Sequence, residues 1–427
     1  MAAVPTKLRY RPLNLARWLI WGLTALVMAA LPQLFTQGFA ITLMSQMGVA
    51  IIFALSYNML LGQGGMLSFG HAVYSGLGAY IAVHTLNLAA TGRIWMPVSL
   101  LPLVGGLGGA FFGVLFGYVT TKRSGTTFAM ITLGIGELVA TCALMFKEFF
   151  GGEGGITTNR VIGQPFLGIT FGPGVQVYYL IAFWCLLSMA LMYAWSHTPL
   201  GRIANAVRDN PERAEFIGYD TQRVRWLTLI ISAFFAGIAG GLSMINFEIV
   251  TAENVGALRS AYVLIATFIG GIGFFFGPII GAIVFTFFVI ALSGYTNAWQ
   301  FYLGLFFVLM VMYAPGGIAS LIMMQVQLIA RKRFARIAPH YVAAGASSLL
   351  LLAALVLTVE MTYQVSVDSA NGTLMNLFGS NFDAATARPW AAAIGLWVIG
   401  AALFNITRKR VARVWGEIQT EFQQARS

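Results

Sequence analysis

Twelve apolar runs, separated by short polar breaks, constrain this chain more than any other feature. A bilayer core is about 30 Å thick, and a helix rising about 1.5 Å per residue crosses it with ~20 apolar residues. The runs lie near residues 17–34, 39–61, 66–88, 96–119, 128–146, 175–195, 226–245, 261–275, 278–292, 299–313, 341–359 and 389–406. Only 9% of the residues are charged, against about 25% in a soluble domain. Such a chain cannot cover its surface with polar groups. The expected fold is therefore an all-α polytopic membrane protein. Shorter runs such as 278–292 are expected to be tilted, broken or only partly spanning.

The charge pattern fixes a topology. With Lys7, Arg9, Arg11 and Arg17 in the cytoplasm, alternation also places Lys122, Arg123, Arg202, Arg208, Arg213, Arg223 and Arg225 there. Arg331, Lys332, Arg333, Arg336, Arg408, Lys409, Arg410, Arg413 and Arg426 follow, giving 20 of the 25 basic residues. The outer side receives Arg93, Lys147, Arg160, Arg259 and Arg388. Retention of positive charge on the cytoplasmic side during insertion predicts this asymmetry. It implies an inner-membrane protein with both termini in the cytoplasm. The net charge of +11 is thus distributed for a membrane, not for nucleic acid. The first run has the basic start of a signal peptide, but bulky residues from Gln33 to Phe39 follow it, so it reads as a retained span.

What is missing narrows the function. No Gly-x-x-x-x-Gly-Lys-[Ser/Thr] occurs, so any ATP is handled by a partner. Neither paired acids, nor a metal cluster, nor an activated nucleophile is visible, which argues against enzyme chemistry. Cys142 and Cys185 each sit inside an apolar run and read as packing residues.

The most informative polar segment is the loop 196–225. Its first helix is expected after Pro199, ending near Arg208. Asn210 then caps a second helix that carries Pro211 at its first position and is stopped by Gly218. The plainer reading is an amphipathic connector on the lipid surface. The sharper one is a helix pair that docks on a soluble ATPase. Its Pro-x-Gly-Arg turn, Arg-x-Asn, Glu-x-Ala and closing Gly resemble the coupling loop of LivM-type permeases of branched-chain amino acid importers. The resemblance extends from about residue 40 to 322. It takes in Ala54 to Ala72 with Tyr74, Gly76, Gly78, Ala79 and Tyr80, the outer Gly151-Gly152-Glu153-Gly154-Gly155-Ile156, Gly270 to Ala282, and Ala314-Pro315-Gly316-Gly317-Ile318. Four motifs in one order carry it. Gly316 stands where the family usually has arginine.

This resemblance implies a LivM-type ABC importer permease fold, with about ten core spans and two extra C-terminal ones. It implies a second homologous permease, two cytoplasmic ATPase subunits holding ATP and Mg, and a periplasmic binding protein, with no cofactor in this chain. Branched-chain amino acids come first as substrates, with urea, amides and aromatic acids as family alternatives. Gly201, Arg202, Arg208, Asn210, Glu212, Ala214 and Gly218 would form the coupling set, and Gly151, Gly152, Glu153 and Gly154 an outer docking loop or gate. The chain divides at this level into residues 1–37, a core 38–335 and an extension 336–427.

Gly62, Gly64 and Gly65 would let a span break at membrane depth, where free backbone groups can line a path. Close helix packing is the simpler use of glycines such as Gly70, Gly76 and Gly78. Asn58, Ser68 and His71 belong to the same candidate pathway, although a lone histidine more often packs than carries protons. Glu137 stands mid-span, where an unsatisfied carboxylate costs roughly 3 kcal/mol. It would either meet a solute's ammonium group or share a proton with Thr132 or Thr141. A proton-coupled secondary transporter using Glu137 is the alternative function. Spans two to five and seven to ten are candidates for an inverted repeat. In the tail, Val411, Val414, Trp415, Ile418 and Phe422 recur at helical spacing, predicting an amphipathic helix on the inner leaflet or on an ATPase.

Overall fold

The computed structural model of the chain describes residues 15–161, 170–330, 334–366, 373–377 and 380–424. Lys7, Arg9, Arg11, Arg331, Lys332, Arg333 and Arg426 of the charge pattern lie outside the described residues. Contacts divide the chain into two units, Met1–Phe287 and Phe288–Ser427. Among the described residues eight helices are long and apolar enough to cross a membrane, or nine if the bent pair Trp299–Tyr313 and Gly317–Ala330 is one span.

The first unit carries α1 (Leu15–Leu34), α2 (Gly38–Asn58) with a π-helical end at Met59–Gln63, α3 (Ala72–Ala90), α4 (Leu101–Thr120) and α5 (Thr126–Met145). After the short α6 (Lys147–Phe150) come α7 (Gly174–Ser196), α8 (Pro199–Asp209), α9 (Pro211–Phe216), α10 (Thr221–Phe247), α11 (Ala257–Gly270) and α12 (Gly277–Thr286). α4 and α10 run antiparallel through a glycine seam, because Gly105, Gly109, Gly113 and Gly117 lie successively against Gly237, Ala233, Ile230 and Trp226. That seam brings Lys122 and Arg123, after α4, to the end of the bundle where Arg223 and Arg225 begin α10. We call it the basic end.

The expected span 66–88 is corrected. Residues 64–71 are not helical, and α3 starts only at Ala72. Apolar residues such as Met66, buried at 1% exposure, suit an extended segment inside protein as well as a helix, so hydropathy could not separate the two. Gly65 has φ +65°, which ends the helix at little cost only for glycine. A related break separates α10 from α11. Here β2 (Ile249–Val250) pairs with β1 (Ile156–Thr157), and residues 252–255 form a 3-10 turn before α11. α2 and α10 run in opposite directions, each followed by such a break and a helix that begins inside the protein. α3 pairs with α4 as α11 pairs with α12, and α10 packs on α4 as α2 packs on α12. This is the packing expected of an inverted repeat.

The second unit holds α13 (Trp299–Tyr313), α14 (Gly317–Ala330), α15 (Phe334–Ser366), the hairpin β3 (Leu374–Leu377) and β4 (Ser380–Asp383), and α16 (Ala387–Gln424). α15 and α16 pair along their lengths, from Thr358 beside Trp397 to Arg336 bonded to Glu417 at 2.6 Å. The tail expected as an amphipathic helix on the inner leaflet or on an ATPase is helical and has a cover within its own chain. α16 is continuous, and Val414, Trp415 and Ile418 pack on Leu328, Ile337 and Tyr341 of the same chain. Glu360 of α15 accepts hydrogen bonds from Thr296 (2.7 Å) and Tyr302 (2.8 Å), tying the hairpin to α13. Glu360→Leu strands two hydroxyls at about 1–3 kcal/mol each. Its expected result is a fall in melting temperature of several degrees in detergent. An unchanged melting temperature would show that these bonds hold nothing.

Candidate functional site

The first break builds most of the candidate pathway. Tyr57 OH donates to the Ser68 carbonyl at 2.9 Å, the Phe69 N–H donates to Thr132 Oγ1 at 3.2 Å, and Ser56 Oγ meets His71 Nε2 at 3.0 Å. Side chains thus replace the hydrogen bonds that a helix over 66–71 would make. His71 is fully buried, stacked on Phe53 with ring centroids 5.4 Å apart. Among the described residues, Asn58 Oδ1, Gln63 Oε1, Ser68 Oγ, His71 Nδ1 and Ser75 Oγ are buried without a hydrogen-bond partner in the chain.

Behind the break lies the loop of the basic end. Thr198 caps α8 by accepting from the Gly201 N–H, Asn210 caps α9 from Arg213, and Asp220 caps α10 from Arg223. Gly218 has φ +92°, so the stop after α9 needs glycine. Gly201 and Ala214 are buried, whereas Arg202, Glu212 and Gly218 are exposed. Arg208 reaches the break while its side chain stays 38% exposed. Its Nη1 donates to the Gly62 carbonyl, while Nε and Nη2 both reach Asp209 Oδ1 at 2.8 Å. A Cβ on Gly65 would stand 2.6 Å from Arg208 Cγ, and one on Gly62 would stand 2.8 Å from the Ile272 carbonyl.

The second break meets the first inside the protein. The Ala72 N–H at the start of α3 donates to Ser260 Oγ of α11 at 2.9 Å. Next to Ser260, Arg259 lies over the Phe53 ring at 6.0 Å and donates to Asn254 Oδ1 (2.5 Å) and Ser243 Oγ (3.2 Å). Among the described residues no carboxylate lies within ion-pair distance of it.

The family described as branched-chain amino acid transport system / permease component matches residues 39–316. The chain belongs to this permease family. Similar proteins include the high-affinity branched-chain amino acid transport system permease protein LivM of Escherichia coli, 29% identical over 66% of this chain and 70% of LivM. Another is the galactose/methyl galactoside import permease protein MglC of Salmonella typhimurium, 26% identical over 61% of this chain and 80% of MglC. LivH of Salmonella typhimurium, named for the branched-chain system, is 24% identical over 55% and 78% of the two chains. No solved structure matches. The chain is a multi-pass permease component of an ABC transporter, not an enzyme.

Within this permease Glu137 is not the internally bonded acid expected from Thr132 and Thr141. Thr132 Oγ1 bonds Ala129 O and Phe69 N, and Thr141 Oγ1 bonds the Glu137 carbonyl instead of its carboxylate. Glu137 is exposed near the middle of α5, on one stripe with Met130, Gly134 and Thr141. Hydropathy marks a mid-span acid but not the face it occupies. The outer motif is a pinned turn. Gly151, Gly152 and Gly155 take φ of +78°, +65° and +67°, and Ile156 pairs with Val250. Glu153 and Gly154 lie exposed at its tip. Two features of the permease escaped the sequence reading. Phe216 and Ile217, 90% and 68% exposed at the loop tip, look in sequence like ordinary apolar positions of an amphipathic helix. Arg259 reads as a loop cation until the break before α11 draws it inside.

Proposed function

We propose that the chain is one half of the translocation path of an ATP-driven importer for amino acids, branched-chain ones first. A homologous permease would complete the path. Two ATPase subunits would bind the basic end in the cytoplasm and supply ATP and Mg, and a binding protein would deliver solute at the opposite face, near Gly151–Gly154. The observation that carries this reading is the exposed Phe216–Ile217 tip, held out by two capped helices in a chain that has no P-loop of its own. Large apolar side chains so exposed at a polar loop mark a partner contact.

Two charges support the solute class. Glu137 offers an unpaired carboxylate in the middle of α5, where exposure to lipid is costly and a facing subunit or aqueous path is not. Arg259 offers a guanidinium with no carboxylate at ion-pair distance among the described residues. Together they suit a zwitterion better than urea or a sugar. Glu137→Gln and Arg259→Gln should each lower uptake of labelled leucine at least ~10-fold at normal membrane levels, about 1.4 kcal/mol in the limiting step. Unchanged uptake in both variants would remove these residues from the path and the amino-acid assignment with them.

A further inference from the structure

We propose that Arg208 is the link that transmits motion of the loop helices to the broken span, a role that rests on the importer reading above. Three structural elements meet at Gly62. From one side Arg208, the penultimate residue of α8, donates to its carbonyl. From the other the Ile272 carbonyl, in the connection between α11 and α12, approaches so closely that a side chain on Gly62 would collide with it. Gly62 itself lies in the π-helical turn that ends the span and leads into residues 64–71. A π-turn leaves carbonyls poorly matched to the helical ladder. An arginine bonded to one of them fixes the turn as long as α8 stays where it is.

The arginine is prepared for this. Asp209 takes Nε and Nη2, which orients the planar guanidinium and leaves Nη1 for the backbone. Gly65, left-handed at φ +65°, gives the arginine stem room that any side chain would fill. α8 is not a loose surface helix either, because Ala204 and Val207 are buried at 2% and 3% exposure and α8 packs on α10 and on the π-turn. Displacement of α8 by a closing ATPase therefore pulls on Gly62, and through it on Ser68 and His71. The same displacement moves Gly62 relative to Ile272, so the first break and the α11–α12 connection respond to one residue.

The test uses the complete transporter with its ATPases and binding protein in proteoliposomes, with labelled leucine as probe. Arg208→Gln is expected to lower leucine transported per ATP hydrolysed about tenfold, and Arg208→Lys to recover much of it, since an ammonium still donates to Gly62. Gly65→Ala should reproduce the loss by displacing the arginine, and the double variant should be no worse than either single one. Amide hydrogen exchange supplies a readout that a purely stabilising role would not move. Trapping with ATP and vanadate should change protection of residues 64–72 in the native complex and leave it unchanged in Arg208→Gln. A transport ratio within twofold of native, additive losses in the double variant, or an exchange response that persists without Arg208 would each overturn the link while leaving the importer reading intact. Leucine uptake that proceeds without ATP hydrolysis would instead overturn both.

Discussion

Phe216→Glu is expected to abolish ATP-driven uptake while leaving the permease folded and inserted. The side chain is 90% exposed, so its loss removes no packing within the chain. The caps of α9, Asn210 below and the left-handed Gly218 above, are untouched. The new carboxylate falls four residues after Glu212 and next to Glu215, adding like charge where an apolar contact is needed. Central aromatic anchors commonly account for 2 kcal/mol or more of an interface, so ATPase affinity should fall about 30-fold or further. Co-purification of the ATPases with the variant, compared with the native permease, reads this directly. Normal co-purification and uptake would place the docking surface elsewhere.

Gly240→Val should have a comparable effect at the level of the fold. α3 crosses α10 at Gly240, where a Cβ would overlap the Ser75 carbonyl, and Gly78 meets Gly237 and Gly105 in the same crossing. Overpacking a tight core costs about 1–3 kcal/mol even where side chains can move. Here the obstacle is backbone, so the two helices must separate and the α3 N-terminus loses its place at Ser260. The expected result is loss of folded permease from the membrane fraction. Gly22→Val is the control, since nothing lies within 4 Å of a Cβ there. Equal yields of both variants would contradict the crossing.

The loop at the basic end was legible because its signals are local. Thr198-Pro199, Asn210-Pro211 and Gly218 specify caps and stops within a few residues, and α8 and α9 follow them. The helical spans were legible from hydropathy, and the family motifs from their order. The break itself was legible at Gly62, Gly64 and Gly65, but its continuation over residues 66–71 was not, because Met66, Leu67 and Phe69 are as apolar as a helix requires. What the irregular segment bonds to is distant, namely the Thr132 hydroxyl on Phe69 and the Tyr57 hydroxyl on Ser68. The surroundings of Glu137 were hidden for a related reason. Its position along α5 is plain in the sequence, but the exposed face depends on α5 packing against residues 69–70 through Gly136. The cover of the tail was hidden because one apolar stripe suits lipid or protein equally, and only the fold supplies Leu328 and Ile337.

The most direct measurement of the central claim is leucine uptake into proteoliposomes that contain the complete transporter, with ATP supplied on the side of the basic end and a proton uncoupler present. Uptake that requires this ATP, requires the binding protein on the opposite side and continues undiminished with the uncoupler is the predicted result. Uptake that follows the proton gradient and proceeds without the ATPases would contradict it and make the chain a secondary transporter.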